Sequence, residues 1–219
     1  LRNVMGQVYL TIVSVDEVTA EGEAVDDAVP SDLDPALMAA RIRGAVHRQH
    51  GYSEPADVAH PPTPVREADR LRALQATGIL DTPPEERFDR ITRDATERLG
   101  TPMATISLVD SDRQWFKSRQ GVDETETPRE ISFCGHAINY EGGFVVGDAR
   151  LDPRFSHNPL VDGGVRSYAG RPIRSPDGHV IGMMCVMDHS PRDFGEQELQ
   201  HLASLRDQVE QEIWGPGPR

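Results

Sequence analysis

An α+β fold, an antiparallel sheet with helices at both ends of the chain segment that forms it, is what this sequence predicts. Three observations predict it. From Thr63 onward, apolar residues recur at helical spacing first, then at a spacing of two, then at helical spacing again near the end. The two-residue stretches come in neighbouring pairs joined by short polar turns. The resulting order is helix, helix, hairpin, helix, strand, loop, hairpin, helix, which groups strands together instead of alternating them singly with helices.

The first helix is expected after Thr63-Pro64, a capping residue before proline, burying Val65, Ala68, Leu71 and Leu74 and stopping at Gly78. Thr82-Pro83-Pro84-Glu85 reads as a capping box for the second. Phe88, Ile91, Ala95 and Leu99 follow at helical spacing, and Gly100 supplies a left-handed exit. In Met103 to Val109 the residues Ala104, Ile106 and Leu108 alternate with Thr105 and Ser107, as in a half-buried strand. Asp110-Ser111-Asp112 turns the chain into a second strand, Arg113 to Arg119, on which Trp115 and Phe116 point to opposite faces and one enters the core. Ser132 to Asn139 reads as a short helix and Phe144 to Val146 as a strand. Val165 to Ile173 and His179 to Met187 flank the turn Ser175-Pro176-Asp177-Gly178, with Pro172 at a bulge or strand edge. A last helix, from about Gly195 to Ile213, buries Leu199, Leu202, Ala203, Val209 and Ile213.

Residues 1–62 have a different character. Val8 to Val15 reads as one short strand, and Asp34-Pro35 opens a short helix to about His47. Between them Asp16, Glu17, Glu21, Glu23, Asp26, Asp27, Asp32 and Asp34 leave too little apolar surface to offset chain entropy, so disorder is the expectation. A proline-rich linker follows, and the chain divides into an N-terminal extension (1–62), a folded domain (63–213) and a tail (214–219). The 219 residues carry 23 Lys and Arg against 36 Asp and Glu, a net charge of −13, which argues against nucleic acid and anionic membrane as partners. Mean hydropathy is −0.51. No apolar run is long enough to span a bilayer, and the N-terminus lacks the features of a secretory signal. With two cysteines and no disulfide framework, the expected compartment is the cytoplasm.

Five segments carry a family resemblance. Asp110-Ser111-Asp112-Arg113-Gln114-Trp115-Phe116-Lys117 resembles the first hairpin of bacterial GAF domains found with histidine kinases and diguanylate cyclases. Ile131 to Ile138, Asp148 to Phe155, Tyr168 to Ile173 and Gly178 to Asp188 resemble its later segments, in the family's order. The resemblance implies a GAF-like six-stranded antiparallel sheet with helices packed on both faces, a pocket under a loop and helix layer, and a role in binding a small ligand or in dimerisation. It names no ligand: members bind cyclic nucleotides, bilins, haem, iron clusters or nothing known, so the cofactor is left open. The Asn-Lys-Phe-Asp-Glu arrangement of cyclic-GMP-binding members is absent.

The residues themselves allow several readings. Cys134-Gly135-His136 lacks the further ligands a metal site needs. Gly135 separates the cysteine from the histidine, unlike the bilin anchor of the family. Cys134 stands either as a redox switch activated at a helix start or as a small inert buried thiol, the simpler reading. Alternation places Cys185 on one face with Met183 and Met187. Arg154 with Asp148 and Asp152 reads as a salt-bridge set, and Tyr168 as a half-buried tyrosine able to offer its hydroxyl. The candidate ligand-site residues are His136, Arg154, Tyr168, Cys134 and Cys185, with no metal site.

The function expected from the sequence is a non-catalytic GAF sensory module that binds a small ligand or dimerises and acts in trans on a separate signalling partner. Its motivation is the absence here of a Gly-Gly-Asp-Glu-Phe run, a kinase ATP box or a basic recognition helix. The alternative is a thiol enzyme resembling free methionine sulfoxide reductase, against which Cys185 stands in a strand apart from Cys134. A homodimer through Leu199, Leu202, Val209 and Ile213 is the further expectation, although the same residues suit the protein's own sheet.

Overall fold

The computed structural model describes residues 59–215 together with two short strands, β1 (Ile12–Ser14) and β2 (Asp27–Val29). The chain divides into two compact units, Leu1–Glu54 and Pro55–Arg219. In the first, β1 and β2 pair in parallel with Ile12 opposite Asp27. The helix expected over 34–47 and most of the acidic stretch lie outside the described residues.

The second unit runs α1 (Glu67–Ala76), α2 (Glu86–Leu99), β3 (Met103–Val109), β4 (Arg113–Gln120) and β5 (Glu126–Pro128). A 3-10 turn (Arg129–Ile131) leads to α3 (Phe133–Ala137), β6 (Phe144–Val146), α4 (Pro159–Asp162), β7 (Ser167–Arg174), β8 (Val180–Asp188) and α5 (Glu196–Trp214). Six strands form one antiparallel sheet in the order β5-β4-β3-β8-β7-β6. The two hairpins expected from the sequence are therefore present, and their first and last strands, β3 and β8, meet at its centre. Pro172 lies where β7 runs beyond its pairing with β6, so its missing N–H costs no ladder bond there.

Both faces of this sheet are covered, which corrects the half-buried reading of β3. All seven of its residues are buried. Ala104, Ile106 and Leu108 pack with Phe88, Ile91 and Ala95 of α2 and with Leu202, Leu205 and Val209 of α5. On the opposite face Val109, Met183, Cys185 and Tyr168 pack under Phe133, Phe155 and Val161. Thr105 and Ser107 are fully buried on that second face, beside Cys185 and Met183. Trp115 and Phe116 do point to opposite faces, but both are buried, because each face has a cover.

Two helix starts also differ from expectation. α1 begins at Glu67, and Val65 is fully exposed. The residue it buries in place of Val65 and Ala68 is Arg70, whose guanidinium bonds Glu67 and donates to the Val109 carbonyl. α2 begins at Glu86 without a side-chain cap. Thr82 donates instead to the Ile79 carbonyl and accepts from Lys117 Nζ at 2.6 Å, while the Glu85 carboxylate bonds Arg87 and the same lysine. The capping box is lost because a buried lysine takes both of its side chains. α5 does carry a cap, the Glu198 carboxylate accepting from Gly195 N–H at 2.7 Å. Leu202 and Val209 face the sheet, and Leu199 and Ile213 pack against the same core. Of the residues offered as a dimer face, Leu202 and Val209 are thus buried in the domain itself, and Leu199 and Ile213 are partly buried against it. Strand β5 and helix α4 were not anticipated, each being three or four residues long and lacking any periodicity to read.

Candidate functional site

The site is built on the second face of β3, β7 and β8, under α3. Ser132 caps α3, its hydroxyl accepting from Gly135 N–H at 2.8 Å while donating to the Arg129 carbonyl. Gly135 is required by close approach: a Cβ there would lie 2.7 Å from Ser132 Oγ, 2.8 Å from the Arg129 carbonyl and 3.0 Å from Pro61. This tight seat presses α3 onto β3, β7 and β8 and aims Cys134 at the sheet.

Cys134 Sγ there meets Ser107 Oγ at 3.1 Å, the Tyr168 hydroxyl at 3.3 Å and Cys185 Sγ at 3.7 Å. Cys185 Sγ in turn lies 3.0 Å from Thr105 Oγ1. Tyr168 reaches the sulfurs by lying across Gly170, where a Cβ would fall 2.4 Å from its hydroxyl oxygen. All five side chains are buried. Burial opposes the charged form of Cys134, but hydrogen bonds from Cys185, Ser107 and Tyr168 outweigh it and hold this thiol below its ordinary value. Cys185, which gives its hydrogen bond to Cys134 and is itself desolvated, is pushed well up. Desolvation and the neighbouring Cys134 push Tyr168 up as well.

Above the sulfurs lies an aromatic layer. Phe133 and Phe155 stack with centroids 4.1 Å apart, and Phe133 stacks on Tyr168 at 5.5 Å. His136 meets the edge of Phe155 at 4.9 Å, and the Arg154 guanidinium lies 4.6 Å over Phe144 and 5.6 Å from Phe155. Arg154 pairs with Asp152 and donates to the Tyr140 hydroxyl at 3.1 Å. Asp148 pairs with Arg166 instead, so the expected three-residue set is really two separate pairs. His136 is buried and donates from Nε2 to the Ala59 carbonyl at 3.0 Å. Desolvation, with Arg154 adding to it, holds His136 below its ordinary value against the opposing Ala59 bond, and so neutral near pH 7.

The five residues singled out from the sequence thus fall in one layer, with Phe133 and Phe155 joining the sulfur group to His136 and Arg154. Cys185 is in contact with Cys134, contrary to the expectation that its strand kept it apart, because α3 folds back over β8. Thr105, Ser107 and Phe155 were missed as members. Alternation along β3 put the first two on one face, but only the register with β8 aligns them with Cys185 and Met183. Among the described residues no group of three or more His, Cys, Asp or Glu is arranged to hold a metal.

A groove of about 600 Å³ lies elsewhere, on the α2 side of the β4 edge, lined by Asp81, Thr82, Asp89, Arg93, Trp115 and Lys117. Its charges are committed to the fold. Lys117 is tied to Glu85, Thr82 and the Pro83 carbonyl, Asp81 holds Arg113, and Arg93 pairs with Glu86. Volume therefore points to one place and chemistry to another; both thiols lie on the α3 side.

This architecture is that of the GAF family: the GAF domain model matches residues 83–213, and the chain belongs to that family. It is 42% identical over 154 residues to a cyclic di-GMP phosphodiesterase of Pseudomonas aeruginosa, a match spanning 68% of this chain and 26% of that protein. The chain thus spans about a quarter of that relative's length. Similar solved structures include the GAF domain of an Acinetobacter phosphoenolpyruvate-protein phosphotransferase (18% identity, 66% of this chain and 92% of that one, TM-score 0.48). Another is free methionine-R-sulfoxide reductase from Neisseria meningitidis (23% identity, 73% and 96%, TM-score 0.49).

The chain is a signalling GAF module. The expectation that it is not an enzyme is corrected by the same comparison, since the relative at 42% identity is named a phosphodiesterase. Among the described residues no helix is long and apolar enough to cross a membrane.

Proposed function

We propose that this GAF module is the input unit of a cyclic di-GMP signalling system, receiving a small ligand on its α3 face and acting on a phosphodiesterase unit outside residues 63–213. The observation that carries the reading is the 42% identity over 154 residues to a protein named as a cyclic di-GMP phosphodiesterase. That the match takes up only 26% of that protein supports an output unit beyond the matched segment, reached in trans or along the same chain.

The ligand face is the layer of His136, Arg154 and Tyr168, with Cys134 and Cys185 at its floor. Arg154 supports this choice: it is the cation of the layer, lies over two aromatic rings and stays about one-third exposed. A planar anionic metabolite suits such a surface, by stacking and by charge-assisted hydrogen bonds. The proposal does not need a homodimer, since α5 spends its apolar residues on the sheet.

Native mass spectrometry of the freshly purified chain, followed by thermal-shift titration against anionic aromatic metabolites, tests the ligand. The expected result is a bound or stabilising metabolite whose affinity falls about tenfold or more in Arg154→Ala, the loss of a charge-assisted contact. No adduct and no stabilising metabolite, or equal binding by Arg154→Ala, contradicts it.

A further inference from the structure

We infer that Cys134 and Cys185 form an oxidant-sensitive site that closes to an intramolecular disulfide when a small hydroperoxide reaches it. The two sulfurs form the floor of the ligand face described above, but their oxidation needs no ligand bound there. The chain has two cysteines, 51 residues apart in sequence, and the fold stands their sulfurs 3.7 Å from one another. A disulfide requires about 2.05 Å, so the sulfurs must approach by roughly 1.7 Å. The element that has to give is α3, a helix of five residues between loops.

Plain packing of two small apolar side chains is the competing explanation, and the surroundings argue against it. Three hydroxyls, from Thr105, Ser107 and Tyr168, converge on two sulfurs in a cluster otherwise made of apolar groups. A core needs no such donors, whereas a thiolate does. The shell is also asymmetric. Ser107 and Tyr168 both lie against Cys134, whereas Cys185 is met by Thr105 and by Cys134 itself. Cys134 is therefore the thiol that ionises first and Cys185 the one that resolves.

The step balances with one peroxide. The Cys134 thiolate attacks one peroxide oxygen, the O–O bond breaks, and the alkoxide leaves as the alcohol after taking a proton, or as water from hydrogen peroxide. Cys134 is then a sulfenic acid. Cys185 loses its proton and attacks the Cys134 sulfur, forming the S–S bond and releasing the hydroxyl as water. Two electrons pass from the two thiols to the peroxide. A dithiol reductant returns them by thiol–disulfide exchange and leaves as its own disulfide. The product ties α3 to β8, one of the two central strands, whose other face packs with α5. With sulfurs no more than 1% exposed, peroxide enters only when α3 lifts, so the rate follows local opening and rises in mild denaturant.

The test is a thiol count on the reduced 219-residue chain after exposure to hydrogen peroxide, with alkylation under denaturing conditions and intact mass measurement. The expected result is a fall from two free thiols to none, a mass lower by two hydrogens in a monomer, and full recovery with dithiothreitol. Cys185→Ser is expected to stop at a Cys134 sulfenic acid that dimedone traps. The wild-type count stands whether or not that variant folds. Two thiols retained while a cysteine peptide in the same tube is oxidised would overturn the inference. So would thiols lost only to overoxidation or to cross-linked dimers.

Discussion

At the scale of single residues, the α3 face is held by close approaches more than by strong pairs. Gly170 is the plainest case, because the Tyr168 ring occupies the space a side chain would need. Gly170→Ala should displace that ring and destabilise the domain by about 1–3 kcal/mol, read by urea denaturation. Tyr168→Phe keeps the packing and removes one donor to Cys134. It should raise the Cys134 pKa, followed by thiolate absorbance against pH, and cost about 1 kcal/mol. His136 gives a pH dependence of definite sign. Its folded pKa lies below the ordinary 6.5, so its contribution is complete above pH 6.5 and declines as pH falls through and below that value. Thermal melts should show stability falling below pH 6.5, and His136→Gln should flatten that slope. These residues were legible in the sequence as types and positions, since Cys134, His136, Arg154, Tyr168 and Cys185 stand in the motifs. Their contacts were not. Whether Cys185 meets Cys134 depends on how far α3 folds back, which Gly135 decides through its close approach to Arg129 and Pro61.

At the scale of elements, charged side chains do the joining that the sequence pattern assigned to caps and apolar stripes. Glu67 bonds the buried Arg70 of α1 and also Arg129, which starts the 3-10 turn before α3. Desolvation opposes its charge, yet the hydrogen bonds from Arg70 and Arg129 hold its carboxyl below the ordinary value. Glu67→Gln leaves Arg70, 3% exposed, without its counter-charge, and should cost about 3 kcal/mol in denaturant unfolding. Glu85 acts likewise before α2, where bonds from Arg87 and Lys117 draw its pKa down to about 2. Its contribution is complete above pH 4.5 and is lost as pH falls toward 2, so Glu85→Gln should weaken the acid dependence in that window. The two long helices and both hairpins were readable because their apolar periods match their lengths. The capping box was misread because Lys117 is 35 residues from Thr82 in sequence, and no local signal announces that a strand lysine will be buried against it. The half-buried reading of β3 failed for a related reason: Thr105 and Ser107 look like solvent-facing positions until another layer covers them.

At the scale of the whole molecule, one sheet carries two cores. The α2 and α5 side holds the larger apolar core, and the α3 side holds both thiols, the stack of Phe133, Phe155 and Tyr168, and Arg154. Because β3 and β8 are central and packed on both faces, they are the strands through which a rearrangement under α3 would reach α5. The role of such a relay depends on what the module serves, and the function proposed above is the input side of cyclic di-GMP signalling. In-frame removal of the codons for residues 63–213 from the native gene, with intracellular cyclic di-GMP measured by mass spectrometry, tests that claim most directly. The account predicts a change of at least about twofold in the cyclic di-GMP level, reversed when the segment is restored. An unchanged level under every condition in which the intact gene is expressed would contradict it.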